Sequence, residues 1–171
     1  TLARMGEVGR DPERVCVMGH SAGAHIAAML ALDGSFLRRV GADRKQLRGM
    51  IGLAGPYDFL PSTDTDLQDI FGPPANYPRA LPVNFADGNN PPLLLLHGEN
   101  DTHVKIGNTR RLLAAVMKSG GPVTAVIYPR MGHLRLVASV SSALGWSADV
   151  REHIDHFITT SRTTSRTPRL P

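Results

Sequence analysis

The junction at residues 14–23 constrains this chain more than any other segment. Arg14-Val15-Cys16-Val17-Met18-Gly19 is a short apolar, β-branched run that follows the turn residues Asp11 and Pro12, and it reads as a buried strand. Ala22 to Leu32 follows at once. It is rich in Ala, Leu and Met, which favour helix. The chain must therefore turn from strand to helix within Gly19-His20-Ser21-Ala22-Gly23.

The same alternation runs onward. Met50 to Ala54 reads as a second strand, stopped by Gly55-Pro56. Leu93 to His97 is a third strand. Ile106 to Lys118 carries apolar residues at Ile106, Leu113, Val116 and Met117 and stops at Gly120-Gly121, so it reads as a helix. Val123 to Tyr128 is a fourth strand. Val150, Ile154, Phe157 and Ile158 mark a closing amphipathic helix. Between these elements, residues 60–92 hold seven of the 13 prolines and many Asp and Asn residues. They read as an irregular excursion with one short helix near Leu67 to Phe71; long loops of this kind are commonly functional. Alternating strands and helices imply an α/β fold, a mostly parallel sheet with helices on both faces. Ligands of such sheets sit at the carboxyl ends of the strands.

Composition narrows the classes. The 171 residues suffice for one domain, with 42% apolar and 20% charged residues. No apolar run approaches the roughly 20 residues of a membrane-spanning helix. The net charge of +4 is spread along the chain, which argues against a nucleic-acid partner. The single cysteine, Cys16, excludes an intrachain disulfide and reads as a small packed residue. No basic segment leads into an apolar stretch near the start, and the expected setting is cytoplasmic. The chain begins at Thr1, and residues 1–9 look like the end of a helix already under way. A fragment is the expectation, with upstream strands missing, one domain over 1–158, and a disordered tail over 159–171 that is rich in Ser, Thr, Arg and Pro.

Chemistry concentrates at Gly19-His20-Ser21-Ala22-Gly23, which fits G-x-S-x-G. A serine at a strand-to-helix turn is held in a strained backbone, with its hydroxyl exposed above the sheet. The flanking glycines let neighbouring chain pass close by. The turn also places the Ala22 N–H at a helix N-terminus, where developing negative charge is favoured.

Residues Arg14 to Ala31 (RVCVMGHSAGAHIAAMLA), Leu53 to Phe59 (LAGPYDF) and Leu94 to Val104 (LLLHGENDTHV) resemble α/β-hydrolase carboxylesterases of the branch near hormone-sensitive-lipase-like and feruloyl-esterase-like enzymes. The similarity runs from Asp11 to Ile158, fades in the Pro-rich excursion and is absent from the tail. It implies the second half of an α/β-hydrolase sheet. It also implies a serine esterase working through an acyl-enzyme on a small-molecule ester, with no cofactor and no metal. The segment from His97 to Val104 resembles the family's H-G-x-x-D-x-x-V and puts the acid on Asp101; Asp58 is the other candidate and reads better as a turn or cap residue. His133 follows the last strand, in the chain order Ser, Asp, His that the fold requires, and is the expected base. Ser21 is the expected nucleophile, and Ala22 the oxyanion donor. Of the other histidines, His20 and His25 flank the turn, His97 supports its loop, His103 sits near the site mouth, and His153 and His156 belong to a solvated helix face. The family's upstream His-Gly-Gly segment does not precede Gly19. An inactive truncated form is therefore one alternative, and an arylformamidase-like amide hydrolase, which uses the same constellation, is another. Self-association through an uncovered sheet edge is a further expectation.

Overall fold

A computed structural model describes residues 15–141 and 148–161. Four strands, β1 (Val15–His20), β2 (Leu47–Leu53), β3 (Leu93–Gly98) and β4 (Val123–Tyr128), form a fully parallel sheet in the order β1-β2-β3-β4. Between and after them lie α1 (Ala22–Leu32), α2 (Gly34–Arg38), α3 (Thr65–Phe71), α4 (Tyr77–Ala80), α5 (Gly107–Lys118), α6 (His133–Ala138) and α7 (Ala148–Thr160). The strands alternate with helices, as the apolar runs dictate.

The pleat of β3 explains the layering. Leu93 and Leu95 enter a core with Ala24, Ala28, Leu112 and Val116 of α1 and α5. Leu94 and Leu96 enter a second core with Leu136, Val150 and Ile154 of α6 and α7. Successive side chains of a strand point to opposite faces, so one all-leucine strand supplies both cores. Register keeps the faces consistent: Met50 pairs with Leu93 on the first face, and Ile51 with Leu94 and Leu53 with Leu96 on the second. Leucines exposed on neither face are what a central parallel strand requires.

Several boundaries differ from those expected. β2 begins at Leu47, three residues early, because Asp43 and Gln46 close a capping box on a short 3-10 turn and deliver the buried Leu47 straight into the sheet. It ends before Ala54, which has a φ of 49°. β1 is not the buried strand expected: its residues are half-buried, Met18 is 52% exposed, and among the described residues β1 pairs on one side only. The Pro-rich excursion is more regular than expected. Besides α3 it holds α4 and two 3-10 turns, Pro74–Asn76 and Pro82–Phe85. Proline stands in the first positions of these elements, where its missing N–H costs no bond. α7 runs on through Thr160, into the stretch expected to be a disordered tail. The helix end expected over residues 1–9 and the tail from 162 onward lie outside the described residues.

Candidate active site

Ser21 stands between β1 and α1 with φ 53° and ψ −122°. A non-glycine residue at positive φ is strained and persists only where its surroundings hold it. Here its N–H donates to the Leu53 carbonyl at the end of β2 (2.9 Å), and its carbonyl accepts from Ala24 and His25, which opens the helix. Serine at a helix N-cap ordinarily bonds the first turn through its hydroxyl. The Ser21 side chain makes no such cap bond, so the backbone alone builds the turn. A Cβ on Gly19 would overlap the carbonyl of Gly23, so the turn closes only over a glycine at that position. Gly23 differs from expectation: among the described residues nothing lies within 4 Å of where its Cβ would be. The Ala22 N–H belongs to the first turn of α1, where amides lack an intrahelical acceptor.

Asp101 and His133 come together at the ends of β3 and β4. His133 Nδ1 lies 2.6 Å from Asp101 Oδ2, and both side chains are buried. The other carboxylate oxygen accepts the N–H of His103 and of Val104, each at 2.9 Å. Burial by itself raises the Asp101 carboxyl, but the bonds from His133, Val104 and His103 outweigh it and hold the carboxyl below its ordinary range. The carboxylate thus accepts the Nδ1–H hydrogen bond, which selects the tautomer whose lone pair is on Nε2.

The remaining histidines surround this pair. His97 is fully buried, with Nε2 donating to the Val104 carbonyl (2.9 Å) and Nδ1 beside the Thr109 hydroxyl (2.7 Å). It braces the loop that carries Asp101. His103 stacks on His133, with centroids 5.1 Å apart. His20 donates from Nε2 to the His133 carbonyl, at 3.2 Å. This contact spans 113 positions and has no local signature in the sequence. His25 donates from Nε2 to the Ala80 carbonyl (2.7 Å), tying α1 to α4. His153 and His156 are exposed on α7, and His153 also meets the Tyr128 hydroxyl at 3.1 Å. Asp58 goes elsewhere: its carboxylate pairs with Arg111, and its N–H bonds Asn108 Oδ1. It latches the segment after β2 onto α5.

A cleft of about 1050 Å³ opens beside Ser21 and Ala22 and reaches His103. One wall is an aromatic trio, His25, Phe59 and Phe71, packed edge to face at 5.3 to 6.1 Å. Among the described residues, no helix is long and apolar enough to cross a membrane.

The BD-FAE family model matches residues 3–116, two thirds of the chain. From Mycobacterium tuberculosis (strain ATCC 25618 / H37Rv), the "Probable carboxylic ester hydrolase LipM" is 30% identical over 129 residues, covering 63% of this chain and 29% of that protein. The "Esterase LipQ" of the same strain is 25% identical over 159 residues, covering 82% and 37%. The chain spans about a third of the length of the curated relatives it matches. A solved structure, "Truncated form of carbohydrate esterase from gut microbiota", superposes with a TM-score of 0.80 at 16% identity, over 95% of this chain and 65% of that one. On this match and this parallel sheet, the chain has the α/β-hydrolase fold and belongs to the BD-FAE family.

Proposed function

We propose that Ser21, His133 and Asp101 act as nucleophile, base and orienting acid, and that the protein hydrolyses carboxylic esters of small molecules through an acyl-enzyme. The observation that carries this is the buried 2.6 Å bond between His133 Nδ1 and Asp101. It leaves Nε2 as the other imidazole nitrogen, and the ring stacks on His103, which lines the same cleft as Ser21. Ser21 Oγ attacks the ester carbonyl while His133 Nε2 takes its proton, and the tetrahedral oxyanion lies against the Ala22 N–H. The imidazolium then protonates the departing alkoxide. Water, deprotonated by the same nitrogen, attacks the acyl-Ser21 ester; the acid leaves and the serine regains its proton. The relatives named as esterases support ester over amide substrates. A cytoplasmic setting, suggested by the single Cys16, and self-association through the outer edge of β1 belong to the same proposal.

A fluorophosphonate probe tests the assignment. It should label Ser21 and no other serine, and Ser21→Ala should abolish labelling. Labelling that survives the substitution overturns the assignment. Paired ester and amide substrates then decide the leaving group.

A further inference from the structure

We propose that His20, the residue immediately before the nucleophile, is a positioning residue that fixes the base relative to Ser21. The inference rests on the triad proposed above. β1 and β4 lie at opposite ends of the order β1-β2-β3-β4. Their axes are three inter-strand spacings apart, roughly 14 Å, so no direct strand pairing joins the Ser21 turn to the segment that carries His133, and the sheet relates them only through β2 and β3. Asp101 does not join them directly either. It anchors the His133 ring to the end of β3, as the Asn100 N–H anchors the Met131 carbonyl (3.0 Å). The direct tie from the base back to β1 is the His20 bond.

Its ring sits 4.4 Å from that of His133 and its Nε2 reaches the His133 carbonyl. A carbonyl only accepts, so the proton is on His20 Nε2. Burial first, and then the neighbouring His133, lower the His20 pKa, so the neutral ring is the form that holds the clamp at neutral pH. Backbone strain fixes Ser21 at one end, and His20 shares its turn. The nucleophile and the base thus hang from adjacent residues. His103 meets the His133 ring by stacking and cannot replace a bond to the backbone.

The test compares His20→Ala with His20→Gln, whose amide nitrogen can donate from about the same place. Turnover, KM, the rate of Ser21 labelling by a fluorophosphonate and the thermal midpoint are read for both. The expected result for His20→Ala is a loss of kcat and labelling rate of between about 10-fold and 10²-fold, the size a misplacement of about 1 Å produces, with KM unchanged. His20→Gln should recover most of that loss at a similar thermal midpoint. Parent rates in His20→Ala, equal losses in both variants, or losses that follow the thermal midpoint overturn the inference. If the unsubstituted protein is never labelled at Ser21, the proposed function fails instead.

Discussion

At Asp101 two opposing effects meet, and their balance decides what the residue can do. Burial disfavours the charge, while three hydrogen bonds to it favour it and win. Asp58 has a quarter-exposed side chain and a guanidinium partner, and its work is to hold a loop. Asp101→Asn should therefore lower kcat by about 10⁴, because an amide presents the wrong tautomer to the histidine. Asp58→Asn should cost far less. Steady-state kinetics of the two variants give the order, and the reverse order refutes the assignment. The resemblance of the segment after β3 to H-G-x-x-D-x-x-V pointed to Asp101, and the structure sets its carboxylate against His133. The His20 contact was illegible in the sequence, since a ring and a carbonyl 113 positions apart leave no periodicity to read.

At the scale of elements, the strand-to-helix turn was legible because each side of it carries its own signal: β-branched residues before, alanines after. α6 was not. It starts at His133 itself, after Gly132, which offers no capping side chain, and its six residues are too few for a periodic stripe. Its place is set by Leu136, fully buried in the second core. The two motif glycines, alike in sequence, differ in structure and should part on substitution. Gly19→Ala drives a methyl group into the Gly23 carbonyl and should destabilise the protein markedly. Gly23→Ala adds its methyl to open space in a helical first turn and should leave stability unchanged or raise it by about 0.4–1 kcal/mol. Urea unfolding of both variants checks this; equal destabilisation would mean that both glycines are sterically required.

For the whole molecule, acid is the exposed weakness. The pKa of buried His97 is lowered, by burial first, and that of His20 likewise. Asp101 is also lowered. A group with a depressed folded-state pKa stabilises above its unfolded value and loses that contribution as pH falls. The urea midpoint should accordingly decline below about pH 6.5 as unfolded histidines take up protons, and again below about pH 4 as carboxylates do. A midpoint that rises between pH 7 and 5 would contradict the buried, neutral state of His97. The proposed self-association has its own measurement. Met18 on β1 is 52% exposed, so light scattering should give a mass above one chain, and Met18→Lys should lower it. A parent that scatters as a single chain removes the proposal. Finally, the sheet order is also the chain order. A ribosome releases the serine's strand before the other three described strands and the base after β4, more than a hundred residues later than the serine. On the proposed assignment the nascent chain carries an unarmed nucleophile throughout that interval, and hydrolytic competence arrives only when α6 closes over the sheet.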